Sequence, residues 1–109
     1  MRTGLLLLPS RPARDLAALA ARAEALGYDD LWLADERFFR DVYACLATCA
    51  LATHRIRLAT GVTDPYSRHP ALTAMAIATL DELSVGRAVL GLGAGVSGFR
   101  ELGIDASRS

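Results

Sequence analysis

Three short stretches of this chain hold residue types that do chemistry. The first is the run Gly91-Leu92-Gly93-Ala94-Gly95-Val96-Ser97-Gly98. Glycines after a parallel strand let the backbone approach a phosphate or a flat ring. Gly93, Gly95 and Gly98 match the bare G-x-G-x-x-G spacing of the dinucleotide fingerprint. That fingerprint follows a first strand and wants an acidic residue about 20 positions further on. Here the run comes late, and the sequence stops at Ser109, short of that position. Binding of NAD is therefore disfavoured, and a tight strand-to-loop turn is the plainer reading. The second stretch is Ala34-Asp35-Glu36-Arg37, where two adjacent acids suit proton transfer or ligand orientation. A solvated strand end, with its acids loosely paired to Arg37, is the competing reading. The third is Thr60-Gly61-Val62-Thr63-Asp64-Pro65, where glycine beside a β-branched residue suggests a bulge.

Other reactive side chains read as structural. His69 precedes Pro70 and suits the start of a helix. His54 lies between Thr53 and Arg55, where a helix should end. Cys45 and Cys49 lie four apart, on one helical face, and read as small buried apolar groups. A metal pair would need two further ligands nearby, and no metal site is expected. Trp32 and Tyr28 are expected to pack between strand and helix.

These stretches need elements to carry them, and the hydrophobic pattern supplies four strands and three helices. Strand-length apolar runs occur at 3–8, 30–35, 56–62 and 87–92, each punctuated by Gly, Pro or Asp. A helix is expected from Pro12 to Leu26, with Leu16, Leu19, Ala20, Ala23 and Leu26 on one face and Gly27 as its left-handed cap. A second runs from an Asp41 N-cap to Thr53, burying Val42, Cys45, Leu46 and Cys49. A third runs from Pro70 to Leu83, with Leu72, Met75, Ala76, Thr79, Leu80 and Leu83 facing inward and Gly86 as a stop. The order is β-α-β-α-β-α-β at roughly 26 to 31 residues per unit. Strands joined by crossover helices run parallel. The pattern alone leaves open a doubly wound sheet or part of a (β/α) barrel, and a complete barrel needs about 200 residues.

Composition narrows the function classes. The chain has 109 residues, 52% hydrophobic and 22% charged, which is globular composition. Twelve basic residues balance twelve acidic ones. A neutral chain of pI near 6.7 lacks the basic footprint of a nucleic-acid or anionic-membrane binder. No window reaches the roughly 18 apolar residues of a membrane span. The leucines before Pro9 are too few for a secretory core, and two cysteines are too few for a disulfide scaffold. A reduced, cytoplasmic setting is expected.

Taken in order, several segments resemble one family. They are Gly27-Tyr28-Asp29-Asp30-Leu31-Trp32-Leu33-Ala34-Asp35, then Asp41-Val42-Tyr43, then the stretch from Ile56 to Pro70, then Gly86-Arg87-Ala88-Val89-Leu90-Gly91-Leu92-Gly93-Ala94-Gly95. The set resembles the luciferase-like monooxygenase superfamily. Within it, the set is most similar to the deazaflavin-dependent branch typified by methylenetetrahydromethanopterin reductase. The resemblance runs from Gly4 to about Asp105.

The resemblance implies an α/β fold, the amino-terminal half of a TIM (β/α)8 barrel, with the coenzyme at the carboxyl ends of the strands. It implies hydride transfer with an 8-hydroxy-5-deazaflavin coenzyme of the F420 type, or monooxygenation with reduced flavin; FMN is the alternative coenzyme. It places Asp35 and Glu36 beside the ring and substrate as the catalytic pair. It assigns Gly61, Val62 and Thr63 to a bulge behind the ring, with a cis peptide at Gly61-Val62. Gly93 and Gly95 would border the same cavity. Two departures stand out. Glu36 stands where the family often has histidine, which changes charge and proton-transfer range near neutral pH. Leu6 stands where methanopterin reductases carry glutamate, which argues against methanopterin as substrate.

The chain is thus expected to be a single partial barrel domain over 1–109, cut after the fourth strand and catalytic only when completed. Its expected partners are a small-molecule substrate and either a second copy or a complementing carboxy-terminal half. An open half-barrel exposes strand edges and an apolar inner face, so association is expected. The competing reading is a non-catalytic half-barrel module without cofactor.

Overall fold

The computed structural model describes residues 1–36 and 38–93. Arg37, Gly95 and the rest of the glycine run beyond Gly93 lie outside the described residues. The elements are β1 (Gly4–Leu7), α1 (Ala13–Ala25), β2 (Asp30–Leu33), α2 (Val42–Ala52), β3 (Arg57–Thr60), α3 (Pro70–Leu83) and β4 (Ala88–Val89). All pairings are parallel, in the order β1-β2-β3-β4. A strand order that never reverses lacks the switch point of a doubly wound sheet. The sheet is wound in one direction, as in a (β/α) barrel, which decides between the two architectures left open by the pattern.

Alternation along the strands divides the residues between two faces. Leu31, Leu33 and Leu58 turn to the helices and are fully buried there with Leu16, Val42, Leu46, Cys49 and Leu80. Helix α2 packs against both α1 and α3 and buries Tyr43 and Ala50 besides its expected stripe. On the opposite face, Leu6 lies beside Trp32, and Trp32 beside Ala59.

Trp32 does not pack between strand and helix as expected. It lies across the inner face of the sheet, flanked by glycines. A Cβ on Gly4 would stand 3.2 Å from its Nε1, and one on Gly61 3.0 Å from its Cβ. The wide indole is accommodated because neighbouring strands present no side chain at those points.

The helix ends follow the sequence. Asp41 caps α2, its carboxylate accepting from the Ala44 amide at 2.8 Å. His69 Nδ1 accepts from the Ala71 amide at 3.0 Å, ahead of Pro70 at the start of α3. Gly27 and Gly86 both take positive φ, which glycine adopts without steric cost. Five side chains depart from the helical stripes. Leu26 is 73% exposed, and on α3 Leu72, Met75, Thr79 and Leu83 are exposed as well. Leu26 is already the C-cap of α1, so it leaves the helical period. On α3 only Thr73 and Leu80 are buried. Among the described residues no helix is long and apolar enough to cross a membrane.

Candidate active site

The carboxyl ends of β2 and β3 bring two of the chemistry-bearing stretches together. Strand β3 ends at Thr60, two residues before the sequence pattern does, and the Gly61–Val62 peptide is cis. The chain then rejoins the sheet through a single parallel bridge between Thr63 and Leu92. The ladder across this junction is tight. The Gly61 amide donates to the Leu33 carbonyl at 2.7 Å, the Thr63 amide to the Gly91 carbonyl at 2.9 Å, and the Gly93 amide to the Thr63 carbonyl at 2.8 Å.

This junction turns the Thr63 side chain toward the end of β2. Its hydroxyl donates to Asp35 Oδ2 at 2.6 Å, in the short range of a charge-assisted bond. Thr63 is buried, while Asp35 and Glu36 are half-buried. Asp35 and Glu36 line one cleft of about 330 Å³ with Phe38, Phe39, Asp41, Ser67 and Arg68. Val62 is 45% exposed. A Cβ on Gly93 would stand 2.9 Å from Val62 Cγ2, so the glycine leaves the valine face uncovered. Of the residues singled out in the sequence, Asp35, Glu36, Gly61, Val62, Thr63 and Gly93 therefore gather at the strand ends. Gly95 lies outside the described residues.

Three residues in this region escaped the sequence reading. Asp64 is buried and accepts from the Tyr66 and Ser67 amides at 2.8 and 2.7 Å and from Ser67 Oγ at 2.9 Å. It thereby holds the loop from β3 to α3. Arg68 lies 4.6 Å above the Tyr43 ring, a cation–π distance, and 3.5 Å from Asp41. Tyr43 is 8% exposed. Burial pushes its phenol pKa up, while the adjacent Thr63 hydroxyl and the Arg68 guanidinium pull the other way. The Asp64-Pro65 pair was a turn signal for the loop. Nothing in spacing brings Arg68 onto Tyr43.

The chemically plain residues behave as the sequence suggests. Cys45 and Cys49 are free, buried thiols. Desolvation raises both, Cys49 to about 12. His54 is exposed. Its backbone amide, with those of Arg55 and Ile56, donates to the Glu24 carboxylate, far from the cleft in sequence and at the turn before β3. Burial raises the Glu24 pKa and these three amides lower it, with a net downward shift. A second groove, apolar and about 290 Å³, lies between the start of α3 and Leu90 and Leu92, and contains none of the acids.

Comparison with known proteins bears on the family and the fold. The family model described as luciferase-like monooxygenase matches residues 1–108. The 5,10-methylenetetrahydromethanopterin reductase of Methanolobus tindarius is 45% identical over 106 residues, which are 96% of this chain and 32% of that protein. The solved coenzyme F420 dependent tetrahydromethanopterin reductase of Methanopyrus kandleri superposes with a TM-score of 0.92 at 37% identity, over 96% of this chain and 30% of that one. The oxygenating constituent of 3,6-diketocamphane monooxygenase from Pseudomonas putida, solved with FMN, shares the fold at a TM-score of 0.84 and 23% identity, over 100% of this chain and 34% of that one. The chain thus spans about a third of the length of the relatives it matches. With the parallel sheet wound in one direction and the family match over nearly every residue, the chain belongs to the luciferase-like monooxygenase family.

Proposed function

We propose that this chain carries the ring-side part of a deazaflavin-dependent oxidoreductase site. The observation that supports this best is the Thr63–Asp35 hydrogen bond, which ties the acid at the end of β2 to the Gly61-Val62-Thr63 segment at the end of β3. The residues fit a flat coenzyme. Val62 presents a half-exposed apolar face, and Gly93 beside it has no side chain to cover that face. Gly61, Val62, Thr63 and Gly93 would back the ring, with Gly95 following in sequence. A bound deazaflavin supplies hydride transfer. Asp35 and Glu36 line the adjoining cleft and would hold or pass a proton at a substrate heteroatom. Thr63 holds the Asp35 carboxylate through its hydroxyl, and Phe38 and Phe39 add apolar surface to the lining of the cleft.

The F420 type of coenzyme is favoured by the coenzyme F420 dependent reductase of Methanopyrus kandleri, at 37% identity. FMN is the second reading, favoured by the fold shared with the FMN-bound Pseudomonas putida protein. The substrate is a small molecule, and the reduced state of Cys45 and Cys49 suits the cytoplasm.

Fluorescence titration of the purified chain with oxidised and reduced deazaflavin coenzyme, and with FMN, tests the proposal. Saturable binding of the deazaflavin, weakened by Val62→Asp, is the expected result. Saturable binding that Val62→Asp leaves unchanged would overturn the assignment of a ring site to these residues.

A further inference from the structure

We propose that Tyr43 is a positioning residue of this site: its hydroxyl donates to Thr63 Oγ1 and, through Thr63, holds the Asp35 carboxylate in place. The inference deepens the reading of Asp35 as the ring-side acid and rests on it.

The starting point is an oxygen without a partner. Tyr43 is the second residue of α2, and it is 8% exposed. Its hydroxyl is fully buried and makes no hydrogen bond to any of the described residues. Buried hydroxyls are nearly always paired, because water is given up when they are covered. A phenylalanine would fill the same volume without leaving a polar atom to satisfy.

The neighbour that can satisfy it is Thr63. Its hydroxyl stands close enough to lower the phenol pKa, although the two oxygens fall short of hydrogen-bond geometry. Thr63 has one hydroxyl proton, and that proton goes to Asp35 Oδ2 at 2.6 Å. What remains on the Thr63 oxygen is acceptor capacity. The Tyr43 O–H is a donor that lacks an acceptor. The two needs are complementary, and a small rotation of either side chain meets both. The direction of the chain is then set: Tyr43 donates to Thr63, and Thr63 donates to Asp35. Hydrogen bonds in series polarise one another, so the first strengthens the second.

The surroundings favour this arrangement. Arg68 covers the Tyr43 ring at 4.6 Å and lies 3.5 Å from Asp41, so the ring is clamped from above. The Thr63 backbone is fixed from both sides by Gly91 and Gly93. Little is left to move except the two hydroxyls. The acid would thus be positioned by helix α2 as well as by the sheet.

Solution NMR on the isotopically labelled full chain tests this without any coenzyme. In the unaltered chain the Thr63 hydroxyl proton should be slow to exchange and shifted downfield. In Tyr43→Phe that resonance should move upfield and exchange several-fold faster. In Thr63→Val the Tyr43 ring carbon bearing the oxygen should shift, and Thr63→Ser should restore it. A Thr63 hydroxyl signal unchanged by Tyr43→Phe in a folded chain overturns the proposal. Should Tyr43→Phe fail to fold, the Thr63→Val and Thr63→Ser pair decides, since an unmoved Tyr43 signal overturns it equally. Because no coenzyme is present, this result stands apart from the success or failure of the coenzyme titration.

Discussion

A Cβ atom on Gly91 would stand 2.1 Å from the carbonyl oxygen of Thr60. The same two residues are joined again through the Thr60 hydroxyl, which lies 2.9 Å from the Gly91 amide and 2.8 Å from its carbonyl oxygen. The end of β3 and the chain beyond β4 are thus in backbone contact, just below the cis junction at Gly61–Val62.

Gly91→Ala should therefore destabilise the fold by about 3 kcal/mol, because the obstructing atom is backbone and cannot rotate away. Urea denaturation monitored by far-ultraviolet circular dichroism measures the loss. A change below about 0.5 kcal/mol would show that the two segments separate freely.

The amino-terminal end of the sheet should make stability depend on acid. Asp30 is buried and takes Arg2 Nη2 and Arg57 Nε, both at 2.7 Å. The Arg2 hydrogen bond, opposed by desolvation and reinforced by Arg57, lowers its pKa from 3.8 to about 2. A carboxylate with a depressed folded pKa contributes stability that is complete above its unfolded value. That contribution is lost as pH falls through the folded value. The urea midpoint should therefore drop between pH 3.8 and about 2. Asp30→Asn should flatten this part of the profile and lower the midpoint at neutral pH.

Arg87 closes the carboxyl end of α2. Its guanidinium donates to the carbonyls of Ala50, Thr53 and Ile56 and to the Thr53 hydroxyl, at 2.8 to 3.0 Å, while its Nε donates to the Ser84 carbonyl at 2.7 Å. These include carbonyls that the helix end leaves without intrahelical partners. Arg87→Ala should cost about 3 kcal/mol. Arg87→Lys should recover less than half of that, since a single ammonium cannot reach the same set of acceptors. Thermal denaturation of the three proteins orders them.

The two thiols should be inert in the folded chain. Cys45 and Cys49 face the core of α2, and desolvation holds both in the protonated form, Cys49 with a pKa of about 12. A thiol-reactive disulfide reagent at pH 8 should label neither until denaturant is added. Prompt labelling of the native chain would contradict the burial of this face.

The inner face of the sheet should drive association. Leu6 and Leu8 are 64% and 49% exposed, and Val62 is 45% exposed. Size-exclusion chromatography with light scattering should show the purified chain as a dimer or larger species. A stable monomer at high concentration would contradict this.

Much of the architecture was legible in the residues. Alternating apolar runs and helical stripes gave seven elements in the right order, because the two periods of 2 and 3.6 are local properties of the backbone. The capping role of Asp41, the place of His69 ahead of Pro70, and the positive φ of Gly27 and Gly86 are equally local. The ordered motifs around Asp35, Thr60–Pro70 and Gly93 pointed to the family and to the strand ends as the site.

What no local rule contains is which side chains meet across the sheet. A helical stripe tells which residues share a face, not how much of that face a neighbour covers, so Met75 and Leu72 read as core and are exposed. Trp32 was assigned to the wrong side of β2, because alternation gives two faces without saying which the helices occupy. Direction of winding, and with it the choice of barrel over doubly wound sheet, is set by packing helix on helix rather than by any single strand. The contacts that define the site join residues far apart in the chain: Thr63 with Asp35, Arg68 with Tyr43, Gly91 with Thr60. Residue types and element order were determined by the sequence alone. The pairing of Thr63 with Asp35 was decided by tertiary structure, because only the closed register of β2 against β3 brings a hydroxyl within 2.6 Å of that carboxylate.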